Sequence, residues 1–314
     1  MIKHNFDFDP TCGYSEQELL ALSPPDNEPD DFKAFWKDVY QQTLMMSSDI
    51  KMREMWSPEP DVKCYELHYK SLDGLKVGAW LSRPKKSKGG IVIGHGYGNP
   101  STPVIIKNFT VIMPCSRGFS LSNNIDIPWQ SAEHVIHGIE SKETYVIKGA
   151  VADIWRAASV LLEIFPDTQS NLNYSGGSYG GGIGALAMAW EKRVRACWLN
   201  VPTFGHFPEF FDFKCVGSAN AILNYHEKHP EVKKVLAYFN AVSAAKYINI
   251  PTLVTPALFD PVVLPIGQFA VNNAIPKKYK TTVILLCGHF HTPENDKILE
   301  KVNELKTELF SNAL

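Results

Sequence analysis

Leu172-Asn173-Tyr174-Ser175-Gly176-Gly177-Ser178-Tyr179-Gly180-Gly181-Gly182-Ile183, running on to Trp190, is the stretch on which the reading of this chain turns. It opens as a short strand-like run, Leu172–Ser175, narrows to glycine, and resumes as a helical pattern over 179–191. A serine at the apex of a tight strand-to-helix turn needs glycine around it, because neighbouring backbones approach too closely for a Cβ. The N-terminus of the following helix also favours negative charge that develops beside that serine. The pattern Gly-x-Ser-x-Gly alone fits a glycine-rich turn without chemistry. The strand before it and the helix after it make it a nucleophile elbow, with Ser178 as the expected nucleophile.

Outward from the elbow, short apolar runs alternate with helical segments from Gly90 onward. Strand candidates are 91–94, 110–113, 172–175, 196–201, 252–258 and 281–286, and helical patterns occupy 144–164, 179–191, 261–273 and 294–312. That rhythm predicts an α/β fold, a mostly parallel, doubly wound sheet with helices on both faces. Upstream, 62–69 and 75–81 read as a hairpin across Ser71-Leu72-Asp73-Gly74. Residues 203–249 are too long for a simple crossover. Their helical stretches at 219–228 and 232–238 read as an insertion above the carboxyl ends of the strands, where such sheets bind ligands. Residues 1–60 read as an N-terminal extension, polar and Pro-rich as far as Pro29. Asp30 or Asp31 then caps a helix whose Phe32, Phe35, Trp36, Val39, Tyr40 and Leu44 form a packing stripe. With no repeat and no low-complexity linker, the chain from 1 to 314 reads as one α/β-hydrolase domain.

A hydrolase serine needs a base and an orienting acid, and this fold supplies them later in the chain in the order Ser, Asp or Glu, His. Of the histidines after Ser178, His206, His226 and His229 lie in the insertion, whereas His289 and His291 follow the last strand candidate. His289 is the expected base, as the first loop position after Gly288, and His291 is the alternative. Asp260 closes the preceding strand candidate, where a carboxylate can reach the far nitrogen of the histidine; a helix-capping aspartate is the competing reading. For the oxyanion hole the expected amide donors are Tyr179, directly after the nucleophile, and Tyr97, in the early loop Gly94-His95-Gly96-Tyr97-Gly98. His95 can equally serve to hold that loop.

Composition narrows the partners. The chain has 314 residues, 45% of them hydrophobic, enough for a large core. A net charge of -2, without like-charged blocks, gives no basis for binding nucleic acid or an anionic membrane. No apolar run approaches the ~18 residues of a membrane span, and the N-terminus lacks the pattern of a secretory signal, so the cytoplasm is the expected compartment. The six scattered cysteines are expected to be reduced core thiols. His226-Glu227-Lys228-His229 lacks zinc-site spacing, and there is neither a P-loop nor a dinucleotide fingerprint. No cofactor and no metal are expected, and the partner is a small-molecule ester.

With these residues placed, the chain resembles the acetyl xylan esterase and cephalosporin C deacetylase family, carbohydrate esterase family 7, over nearly its whole length. The likeness is carried by Asp31 to Trp36, Gly96-Tyr97-Gly98, Arg117-Gly118, Gly138-Ile139 with Tyr145, Asp153-x-x-Arg156-Ala157, the elbow, Tyr238-Phe239, and Asp260 with Pro265. It implies an α/β-hydrolase that deacetylates small acetylated sugars and often cephalosporin side chains, with a triad on Ser178, Asp260 and His289 and oxyanion donors on Tyr97 and Tyr179. It also implies a possible homo-oligomer with inward-facing sites. The chain departs from the family pattern at Cys115, Phe119, Ser120, Tyr179 and Phe290-His291. Two other readings remain: a serine peptidase of prolyl oligopeptidase type, whose elbow often reads Gly-Gly-Ser-Tyr-Gly-Gly but whose large gating domain finds no room here, and a non-catalytic hydrolase-fold binding protein.

Overall fold

A computed structural model describes residues 2–205 and 212–311. His206 and the remainder of 206–211 in the insertion lie outside the described residues. The chain enters as a strap over residues 2–15 and then forms helix α1 (Glu16–Ala21), an element the composition of this stretch did not suggest. A capping box starts it: the Glu18 amide donates to Ser15 Oγ at 3.3 Å, and the Ser15 amide donates to the Glu18 carboxylate at 2.8 Å. Helix α2 (Phe32–Met45) buries Phe32, Phe35, Trp36 and Val39, half-buries Tyr40 and leaves Leu44 exposed. Asp31 sits at its N-cap but does not cap. Its carboxylate instead accepts from Lys142 Nζ at 2.8 Å and from the Tyr238 hydroxyl, and a charge-assisted bond outweighs a neutral backbone cap.

Strands β1 (Lys51–Met55), β2 (Val62–Lys70) and β3 (Lys76–Pro84) pair antiparallel. The β2–β3 hairpin turns through Asp73 and Gly74, at φ 65° and 74°. β1, absent from the sequence reading, is a polar outer edge joined to β2 by the Arg53–Glu66 and Lys63–Glu54 pairs at 2.6 and 3.1 Å. Next come β4 (Gly90–Gly94), β5 (Thr110–Pro114), the single turn α3 (Ser131–His134), α4 (Val146–Ile164), β6 (Leu172–Gly177), α5 (Tyr179–Met188) and β7 (Val194–Asn200). The interval before the next strand carries α6 (Ala219–Lys228), α7 (Val232–Leu236) and α8 (Ala241–Ala245), and β8 (Thr252–Thr255), α9 (Pro265–Ala274), β9 (Lys280–Thr282) and α10 (Pro293–Ser311) complete the order.

In space the strands run β1-β2-β3-β5-β4-β6-β7-β8-β9, parallel from β5 onward. Both late strands are shorter than their apolar runs. Pro256 has no N–H to extend β8, so beyond Thr255 and Thr282 the two segments continue side by side only through an Ala257–Leu285 bridge and scattered backbone bonds. α9 begins at Pro265 rather than near 261, with proline in the first turn where its missing N–H costs nothing. α4 is buried almost all round, and its Trp155 meets Trp36 and Tyr40 of α2 edge-on. Among the described residues no helix is long and apolar enough to cross a membrane.

The strand order reverses at β4, with β5 on one side and β6 on the other. Consecutive partners from Gly90–Leu172 to Gly94–Gly176 bring the carboxyl ends of β4 and β6 together, so the His95–Gly98 loop and Ser178 leave the sheet side by side. The approach is close: a Cβ on Gly180 would lie 1.9 Å from the Gly94 carbonyl oxygen, so only glycine fits.

Candidate active site

Ser178 stands at the N-cap of α5 with φ 56° and ψ -120°, a conformation a serine keeps only where its surroundings enforce it. Its amide donates to the Asn200 carbonyl at 2.9 Å. Its own carbonyl accepts from the Gly182 and Thr203 amides at 3.0 and 3.2 Å. The Ser178 hydroxyl, so held, lies 2.9 Å from His289 Nε2. On the far side of that ring Nδ1 is 2.9 Å from Asp260 Oδ2 and 3.1 Å from Oδ1. A carboxylate there can only accept, so the proton sits on Nδ1, and Nε2 is left to accept the serine hydroxyl.

Asp260 is completely buried, and both of its oxygens accept further hydrogen bonds. Oδ1 accepts from the Val262 and Val263 amides at 2.9 and 3.0 Å, and Oδ2 from Gln268 Nε2 at 2.9 Å. The aspartate thus bonds the histidine and closes a turn in its own loop; it does not cap a helix, because α9 starts later, with Leu264 at its N-cap. His291 is turned away, 76% exposed and 3.1 Å from Asp296, whereas His289 reaches the serine. His226 lies on α6 and His229 ends it, ring to ring with Tyr225. Among the described residues no group of three or more His, Cys, Asp or Glu is placed to hold a metal ion, and the six cysteines are all buried and unpaired.

Tyr97 and Tyr179 meet face to face beside the serine, ring centroids 4.2 Å apart and planes 24° from parallel. Tyr179 occupies the first helical position of α5, where an amide has no partner within the helix. His95 does hold its loop: Nε2 accepts the Ser116 amide at 2.8 Å, so Nδ1 carries the proton and donates to the Gly96 carbonyl at 2.6 Å. Burial lowers its pKa and keeps it neutral for that task. A cavity of about 720 Å³ opens over Ser178 and His289. Its walls include Tyr97, Val262 and Leu264, together with Val216, Ser218 and Ile222 from the 203–249 interval, and no described lining residue carries a formal carboxylate, ammonium or guanidinium charge. Gln268, Ser116 and His134 support the site without any motif to announce them. The one available hint is a buried glutamine among the apolar residues Ile266, Phe269 and Val271 of α9.

The chain matches the protein family described as Acetyl xylan esterase (AXE1) over residues 14–302. Acetyl esterase Axe7A of Xylanibacter ruminicola is 22% identical over 309 residues, covering 88% of this chain and 66% of that protein. The chain therefore spans about two-thirds of the length of that curated relative. Acetyl xylan esterase 1 from Thermoanaerobacterium sp. JW/SL YS485 has a similar structure, with a TM-score of 0.82 at 21% identity over 96% of this chain and 99% of that one. An acylaminoacyl peptidase of Pyrococcus horikoshii is similar at a TM-score of 0.61 and 15% identity, over 87% of this chain and 43% of the peptidase. The fold is the α/β-hydrolase fold.

Proposed function

The chain belongs to the acetyl xylan esterase family, and from that premise we propose that it is a carboxylic ester hydrolase removing acetyl groups from small substrates such as acetylated sugars, and from cephalosporin side chains. In this reading Ser178 is the nucleophile, His289 the general base, Asp260 the orienting acid, and the Tyr97 and Tyr179 amides the oxyanion donors. The observation that carries it is the unbroken relay at the cavity floor, Asp260 to His289 at 2.9 Å and His289 to Ser178 at 2.9 Å.

The chemistry follows from that relay. Ser178 Oγ bonds to the ester carbonyl carbon while its proton passes to His289 Nε2, and the π electron pair moves onto the carbonyl oxygen. The oxyanion is held by the two amides, and Asp260 balances the imidazolium. Collapse expels the alcohol, which takes the proton from His289. Water then attacks the acetyl-enzyme by the same route and releases acetate. The uncharged cavity suits a neutral ester, and its volume exceeds that of an acetyl group, which leaves space for the alcohol part.

The test is hydrolysis of p-nitrophenyl esters from acetate to octanoate, acetylated xylose and a cephalosporin bearing an acetoxy group. Acetate esters are expected to be preferred. Ser178→Ala is expected to lower kcat by roughly four orders of magnitude or more. Equal rates for the two proteins overturn the assignment, and cleavage of proline-containing peptides without ester hydrolysis favours a peptidase.

A further inference from the structure

The proposed reaction uses only the backbone amides of Tyr97 and Tyr179, yet their side chains are built into one another. The two residues follow different strands, β4 and β6, and their rings stack at 4.2 Å. Tyr179 is fully buried, and its hydroxyl shares a hydrogen bond with Ser116 Oγ at 2.7 Å. The Tyr97 hydroxyl lies 3.1 Å from His134 Nδ1, and His134 Nε2 lies 3.0 Å from the Arg117 carbonyl. That carbonyl only accepts, so His134 carries its proton on Nε2 and Nδ1 accepts from Tyr97.

Both tethers therefore end on consecutive residues of the loop after β5. The contacts close a circuit from the Tyr97 ring to the Tyr179 ring, Ser116, Arg117, His134 and back to Tyr97. A branch runs from the Ser116 amide through His95 to the Gly96 carbonyl, immediately before Tyr97. The loop itself is anchored, because Arg117 Nε and Nη2 donate to Asp153 Oδ2 and Oδ1 at 3.1 and 2.8 Å, both side chains buried. The Phe119 ring packs against His95, Tyr97 and His134 at 5.6, 5.9 and 4.9 Å, which fills the circuit from one side.

We propose that Tyr97 and Tyr179 form a stacked clamp that fixes the spacing of their own amides, with Ser116 and His134 as positioning residues that hold the clamp closed. The proposal rests on the reading of Ser178 as nucleophile and of these two amides as oxyanion donors. Oxyanion stabilisation depends on donors already standing where the charge will appear, and a displacement of about 1 Å can cost a hundredfold in rate. Two amides carried by separate loops have no covalent means of keeping that spacing. The stacked rings supply it.

The experiment compares Tyr179→Leu, which removes the ring, with Tyr179→Phe, which keeps the stack and loses only the bond to Ser116. The readouts are kcat and KM for p-nitrophenyl acetate and the affinity of a trifluoromethyl ketone. Ser178 Oγ adds to that ketone carbon, its proton passes to His289, and the carbonyl π pair becomes an oxyanion in the proposed hole. Tyr179→Leu is expected to lower kcat about tenfold to a hundredfold and to weaken the ketone by a similar factor, with KM changed less than about threefold. Tyr179→Phe, which keeps the ring but loses the Ser116 tether, is expected to show a smaller loss than Tyr179→Leu, about threefold to fivefold in kcat and in ketone affinity. Should Tyr179→Leu fail to fold, Tyr97→Leu, at a partly buried position, takes its place in the same measurements with the same expected losses. The clamp is overturned by a folded leucine variant with wild-type kcat and ketone affinity, or by leucine and phenylalanine variants that fall alike. Hydrolysis that survives Ser178→Ala removes the nucleophile reading itself, whereas hydrolysis that needs Ser178 but ignores loss of the ring removes only the clamp.

Discussion

At Asp260 five hydrogen-bonding contacts converge on one buried carboxylate, and the backbone that brings His289 to it passes without clearance. A Cβ on Gly288 would lie 2.0 Å from Asp260 Oδ2, closer than any real contact. Gly288→Ala must therefore push either the aspartate or the histidine loop aside while leaving Ser178 in place. The expected result is a fall in kcat of about tenfold or more on p-nitrophenyl acetate, with KM little changed. Retention of full kcat in Gly288→Ala shows that the aspartate's position does not govern the rate. The residues a triad requires were legible because order along the chain restricts them: one serine in an elbow, one aspartate after a late strand, a histidine after the last. Gln268, Ser116 and His134 were not, since each is an ordinary polar residue in no motif, and the partners of Ser116 and His134 are distant in sequence. The bonds of Ser116 and His134 to Tyr179 and Tyr97 exist only once the sheet has brought the loops together, while that of Gln268 to Asp260 needs the turn into α9.

Among the segments of the chain, the strap over residues 2–15 touches the candidate site while contributing no reacting group. The Asp260 amide donates to the Pro10 carbonyl at 3.1 Å. His4 and Phe6 pack on Phe259 and Phe290, the neighbours of Asp260 and His289, with Phe259 and Phe290 themselves 5.2 Å apart. Phe6→Ala should loosen both loops together. We expect kcat to fall about threefold to tenfold with KM nearly unchanged, and an unchanged kcat in steady-state assays would show that the strap only covers the surface. The sequence disclosed the central elements because β6 and α5 follow one another with glycines at a forced close approach and because parallel strands buried on both faces read as apolar runs. It hid β1, whose Lys51, Met52, Arg53 and Glu54 are exposed and show no alternation. It hid α1 for a different reason, since Ser15 and Glu18 do form a capping box but within a stretch whose prolines suggested only a connection. For β8 and β9, apolar character outran regular pairing once Pro256 removed a donor.

Across the whole molecule, the reversal of strand order at β4 places the candidate site over a buried polar layer that links Ser71, Asp153, Arg117, His134 and Tyr97. Such a layer is stable only while each member keeps the protonation state its partners require. Burial holds the pKa of His134 down to about 3, against 6.5 for the free side chain, so the folded protein keeps it neutral with Nδ1 open to the Tyr97 hydroxyl. As pH falls below 6.5 the unfolded chain takes up a proton at this residue that the folded chain refuses. The unfolded state then binds more protons, so folding stability from this group decreases as pH falls from 6.5 toward about 3 and is fully present above 6.5. Between pH 7 and pH 5 the loss from this one histidine is roughly 2 kcal/mol. His134→Gln can still accept from Tyr97 and donate to the Arg117 carbonyl but cannot titrate. Urea unfolding of both proteins at the two pH values should show the stability difference between pH 7 and pH 5 shrinking by about that amount in the variant. His95, whose pKa burial also lowers, adds acid sensitivity of the same sign in both proteins. Identical pH dependence in the two proteins would mean that His134 gains its proton in the folded state as readily as in the unfolded one, and that the polar layer is not kept neutral at that point.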